Sequence, residues 1–146
     1  MSLLQEYKKC KAENKPVDFI YDFLFKHYDS PMDEHDPMDL LDVLIDDRIY
    51  AKTSGLPVDI IMFDYGLENF PRYHTPMVAV DGTKGSLLWN HLVPVSISES
   101  PEILISDELL HKRSNLTHDE WNTILEYISK NHKILLAQWN CENGEK

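Results

Sequence analysis

Apolar residues along the chain switch between two periods, and the switch divides it into helical ends around a sheet-forming middle. Phe19, Ile20, Phe23 and Leu24 recur at i, i+1, i+4 and i+5, the spacing of one buried helix face, and predict a helix from about Val17 to Tyr28. Ahead of it, Ser2 and Gln5 form a possible capping box for a short helix carrying Leu3, Leu4 and Tyr7 on one side, interrupted at Asn14-Lys15-Pro16. Ser30-Pro31 closes the second helix. A third is expected from Asp36, which can cap, with Pro37 at the first helical position and Leu40, Leu41, Leu44 and Ile45 as the buried stripe. Ser54-Gly55-Leu56-Pro57 breaks the helical pattern.

From there the runs become short and rich in β-formers. Val58 to Phe63 and Pro76 to Val80 read as strands, with the two glycines of Asp81-Gly82-Thr83-Lys84-Gly85 suited to a hairpin loop. Ser86 to Asn90 is a candidate return strand. Val93 to Ser98 alternates apolar and polar residues, and Pro94 puts it at an edge or a strand start. Ile103-Leu104-Ile105 fits either a last strand or a packed loop. Helical spacing then returns. Thr117-His118-Asp119-Glu120 is a capping box, with Leu116 and Trp121 at the positions of a hydrophobic staple. Trp121, Ile124, Leu125, Ile128, Leu135 and Trp139 fit one face of a helix of about 20 residues, roughly 30 Å long. The expectation is an α+β fold in one domain of residues 1–146, helical over 1–53, sheet over about 57–105 with a small antiparallel sheet, and helical over about 118–139.

The segment from Arg72 onward places Arg72-Tyr73-His74 before a strand, a second strand, and a helix ending Lys133-Ile134-Leu135-Leu136-Ala137-Gln138-Trp139. This order resembles a family of small uncharacterised bacterial proteins linked with toxin–antitoxin-type operons, marked by a Pro-His-Phe-His-Val strand and a Leu-Leu-x-x-Trp helix end. Here one histidine stands where that family has two, and the resemblance covers at most the last half of the chain.

Composition changes the picture in one place. The chain has 25 acids against 14 bases, a formal charge of −11. Asp29, Asp33, Glu34, Asp36, Asp39, Asp42, Asp46 and Asp47 supply −8 of it with no Lys or Arg between them. On the expected third helix, Asp36, Asp39, Asp42 and Asp46 fall within roughly a third of the circumference, opposite the leucine stripe, with Asp33 and Glu34 at the rim. The ordinary reading is a solvated helix face. The functional one is a docking surface for a protein with a basic surface, because a concentrated negative field attracts cations and disfavours nucleic-acid backbones and anionic lipid.

Candidate chemistry is sparse. The acidic run lacks the alternating ligands and turn glycine of a calcium loop, and one histidine among carboxylates is a poor start for zinc, so no metal or cofactor is assigned. His118 and His132 share the last expected helix but would lie about 21 Å apart along it. There is no phosphate loop, dinucleotide fingerprint or Gly-x-Ser-x-Gly turn, and no catalytic residue is assigned. Cys10 and Cys141 are the sole cysteines, which with no signal-like start and no bilayer-length apolar run points to a reduced, cytoplasmic protein away from membranes. Three functions are therefore expected in order. The first is an acidic protein-binding or inhibitor-type protein of the immunity, antitoxin-like or phage-antagonist kind, acting through Asp33, Glu34, Asp36, Asp39, Asp42 and Asp46. The second is a small enzyme or ligand binder using Arg72, His74 and His91. The third is an oligomeric subunit.

Overall fold

Helices and a four-stranded antiparallel sheet make up the α+β fold. The computed structural model of the protein describes residues 3–13, 43, 45–63, 76–84 and 89–143. The first helix, α1, spans Leu3–Ala12. Strand β1 (Ile45–Ile49) leads into a single helical turn, α2 (Ala51–Ser54), and then β2 (Ile60–Phe63). Strand β3 (Met77–Asp81), a 3₁₀ turn at Trp89–His91 and β4 (Leu92–Ser96) complete the sheet. Helices α3 (Asp107–Arg113), α4 (His118–Lys130) and α5 (His132–Asn143) follow. The strands lie in chain order, β1-β2-β3-β4, each antiparallel to the next.

Nearly every residue of β2, β3 and β4 is buried, which is why these strands are continuous apolar runs with little alternation. Their side chains form one core with Tyr7 of α1, Trp121, Ile124 and Ile128 of α4, and Leu135 and Trp139 of α5. Each aliphatic side chain buried there is worth about 1.5–3 kcal/mol. The α4 start is the capping box expected from its residues: Glu120 N–H donates to Thr117 Oγ1 at 3.2 Å, and Thr117 N–H donates to Glu120 Oε1 at 3.0 Å. Pro94 also sits as expected, on the edge strand β4. Its carbonyl accepts from Leu104 N–H, so its missing donor would have faced away from β3, where no ladder bond is lost. Ser96 N–H donates to the Glu102 carbonyl, and Ile103 makes an isolated bridge to Val95, so the 102–104 segment is packed loop.

Three expectations are corrected. Ile45 and Asp46 do not extend the third helix, because β1 begins at Ile45 and pairs with Phe63 at the far end of β2. The register slips between Ile45 and Asp47, which leaves Asp46 as a bulge residue, and the bulge hides the alternation that marks a strand. The return strand expected at Ser86 to Asn90 falls later, and the first three residues of that expected span lie outside the described ones. Asn90 lies in the 3₁₀ turn, and the partner of β3 starts at Leu92. The last expected helix is two helices. At Asn131 (φ −109°, ψ 14°) the side-chain Nδ2 donates to the Tyr127 carbonyl at 2.8 Å, in competition with the backbone ladder. The Asn131 carbonyl then starts α5 by accepting from Leu135 N–H. Leu135 and Trp139 reach the core across that break. The expected helix over Val17–Tyr28 lies outside the described residues.

Candidate functional site

Several polar side chains gather at one end of the sheet, where β2 starts and β3 ends. Antiparallel register places the residue before β2, the last residue of β3 and the residue before β4 side by side: Asp81 N–H donates to the Asp59 carbonyl, and Gly82 N–H donates to the His91 carbonyl. An aspartate flanks an apolar strand at two of these positions, in Val58-Asp59-Ile60 and Val80-Asp81-Gly82.

Asp59 is fully engaged. Its Oδ2 accepts from Arg48 Nε at 2.9 Å and Nη2 at 2.6 Å, and its Oδ1 accepts from Ala51 N–H at 2.7 Å. One carboxylate thereby fixes the β1 arginine and the start of α2. Asp81 is different. Only 3% of it is exposed, and its Oδ1 accepts from Thr83 N–H at 3.2 Å, the local turn that an Asp-Gly-Thr sequence favours. Burial pushes the Asp81 carboxyl above its usual range, and Asp59 adds to the shift, while the Thr83 N–H, His91 and Arg48 oppose it. Thr83 Oγ1 and His91 Nδ1 lie 2.8 Å apart, which ties the β3–β4 loop to the 3₁₀ turn. Lys84 reaches to Glu120 at the start of α4, and that contact, with the Thr117 N–H, draws the Glu120 carboxyl below its usual range.

Gly82 is required by packing. A Cβ built on it would meet the Arg113 carbonyl oxygen at the end of α3, with the His91 carbonyl oxygen 2.9 Å away. Asn115 N–H donates to the Gly82 carbonyl at 3.0 Å, so the loop and the α3 terminus lock together. The Arg113 side chain is buried, with Nη1 donating to the Leu92 carbonyl at 3.0 Å.

These residues border a cleft of about 220 Å³, with Ala51, Pro57 and Val58 as its apolar wall and Asp59, Asp81, Thr83 and Lys84 as its polar one. A buried carboxyl raised above its usual range and bordering a concave site is a candidate binding or reacting position. Among the described residues no three His, Cys, Asp or Glu side chains are placed to hold a metal ion, and no helix is long and apolar enough to cross a membrane.

Of the residues expected from sequence, His91 falls in this constellation. Arg72 and His74 lie outside the described residues, as do Asp33, Glu34, Asp36, Asp39 and Asp42. Asp46 lies at the β1 bulge and so does not share a helix face with Asp36, Asp39 and Asp42. Exposed Asp47 follows it, accepting from Gln138 Nε2 of α5 at 2.5 Å. Sequence reasoning passed over Arg48, Asp59, Asp81 and Thr83. The available signal was a charged residue abutting each of two apolar runs, where an exposed connector would serve equally well. No protein family, curated protein or solved structure matches the chain.

Proposed function

We propose that the protein binds the basic surface of another protein through its carboxylate-rich segment, as an inhibitor, immunity, antitoxin-like or phage-antagonist protein would. The observation that carries this reading is the run of eight carboxylates from Asp29 to Asp47 without a Lys or Arg. Charge of one sign accelerates encounter with an opposite surface and selects against like-charged ones. Attachment of the segment's end to the sheet through β1 supports it, since Asp47 leaves the run in a strand hydrogen-bonded to β2. The test starts with retention of proteins from native lysate on the immobilised protein at low and high salt. Association of the retained protein is then timed for the native chain and for Asp36→Asn/Asp39→Asn/Asp42→Asn. The expected outcome is a basic protein released by salt, with association at least several-fold slower and less salt-dependent for the variant. Unchanged kinetics refute the reading.

A second reading is favoured by the placement of Asp81, Thr83 and Lys84 around a cleft whose polar wall is backed by His91. In it, the cleft holds a small ligand on Asp59, Asp81 and Thr83, beside His91, which is the described member of the site expected around Arg72 and His74.

A further inference from the structure

We propose that the cleft beside Asp81 is a site for a primary ammonium group carried on an aliphatic stem, supplied by a free amine or by a lysine side chain. The inference rests on the second reading above and names the chemistry of its ligand.

The cations around the cleft are already committed. Arg48 is held on Asp59 through two nitrogens, and Lys84 is held on Glu120. Both oxygens of Asp59 are occupied, by Arg48 and by the Ala51 N–H. Among the described residues Asp81 makes no ion pair, and His91 and Arg48 act on it only from a distance. Asp81 is 97% removed from solvent, borders the cleft, and among the described residues accepts one hydrogen bond, at Oδ1 from Thr83 N–H. A carboxylate that borders a cleft and is short of donors is stabilised by an entering cation with N–H groups. Its displaced carboxyl range agrees with this deficit.

The shape of the deficit selects among cations. With Asp59 engaged by Arg48 and the Ala51 N–H, the Asp81 carboxylate is the one with most acceptor capacity left at the cleft, and the compact donor set of an ammonium suits it. A guanidinium fork seeks both oxygens of one carboxylate, and the Thr83 N–H already competes for one of them. A quaternary ammonium has no N–H to donate. The wall of Ala51, Pro57 and Val58 offers contact to a methylene stem, and a volume of about 220 Å³ accommodates a short one.

The test is a backbone amide NMR titration of the full chain at neutral pH with n-butylammonium chloride. Tetramethylammonium chloride, sodium butyrate and 1-butanol serve as comparisons. Saturable shifts of the Ala51, Thr83 and Lys84 amides are expected with n-butylammonium and not with tetramethylammonium. Asp81→Asn is expected to weaken binding at least tenfold. Ala51→Leu, which fills the apolar wall and leaves the carboxylate intact, provides an independent variant expected to weaken it as well. A blocked Ala-Lys-Ala peptide separates the two sources, binding more tightly than n-butylammonium if the group comes from a protein and more weakly if it comes from a free amine. Absence of saturation with both amines, or affinity unchanged in Asp81→Asn and Ala51→Leu, overturns the proposal. If butyrate or butanol saturates the same amides while the amines do not, the cleft remains a ligand site and only the ammonium assignment fails. If no probe saturates, both readings of the cleft fail.

Discussion

Adding one methyl group at Gly82 tests the packing on which the cleft depends. In Gly82→Ala the new Cβ meets the Arg113 carbonyl oxygen and approaches the His91 carbonyl oxygen to 2.9 Å. Neither neighbour swings aside cheaply. The His91 carbonyl accepts from Gly82 N–H at 2.7 Å, and Asn115, two residues past Arg113, donates to the Gly82 carbonyl. Overpacking of this kind costs about 1–3 kcal/mol. Against it stands the gain of about 0.4–1 kcal/mol from the stiffer unfolded chain, available because Gly82 does not have a positive φ. Two backbone oxygens within 3 Å put the overpacking cost in the upper part of its range, about 2–3 kcal/mol. The net loss is about 1–2.6 kcal/mol, a fall in Tm of about 2–10 °C at about 2–4 °C per kcal/mol for a chain of this size. Thermal and urea unfolding followed by circular dichroism measures it. Gly55 supplies the contrast, with φ 80° and no atom within 4 Å of a built Cβ. Its Ala variant suffers only from left-handed backbone, about 1–2 kcal/mol, and Asn at that position recovers part of the loss. Asn at Gly82 recovers nothing. A Gly82→Ala protein as stable as the native one, or rescued by Asn, refutes the close approach.

Asp81→Asn alters the pH dependence of stability. The folded carboxyl lies above the 3.8 of the free group, so native stability falls as pH rises from 3.8 through the folded value and stays lowered above it. The variant lacks that fall, and a stability difference that stays constant from pH 3 to pH 7 counts against burial as the cause. Thr117→Ala removes one half of the α4 capping box and is expected to cost about 1 kcal/mol in urea unfolding, with Thr117→Ser close to native. Ile128→Ala empties a fully buried position beside the sheet and is expected to cost about 2–5 kcal/mol, whereas Ile134→Ala, at a position 69% exposed, is expected to change stability by less than about 0.5 kcal/mol.

How much of this could be read from the chain depends on whether the determining interaction was local. The capping box at Thr117 and Glu120 involves residues three apart, and the fold bears it out atom by atom. Pro94 announced an edge because it lacks a donor wherever it sits. Helix α3 carried local signals that were passed over: Ser106 accepts from Leu109 N–H, Asp107 and Glu108 open the helix, and Lys112 and Arg113 close it. Strand β1 was hidden by its bulge, since Ile-Asp-Asp-Arg-Ile matches no clean alternation and its pairing with β2 is a property of both segments. The split at Asn131 was masked because Leu135 and Trp139 keep helical spacing across it. The polar cluster was least legible. Asp59, Asp81 and His91 are 32 residues apart end to end, and antiparallel pairing alone makes them neighbours.

Sheets left open at the side recruit further chains, and β4 is poorly equipped to do so. Pro94 has no proton to offer an incoming strand, and the outward carbonyl of Pro94 and amide of Ser96 are already bonded to Leu104 and Glu102. Fibril-like growth by strand addition would first have to strip the 102–104 segment away, so concentrated stocks of the protein are protected from templated aggregation along that border.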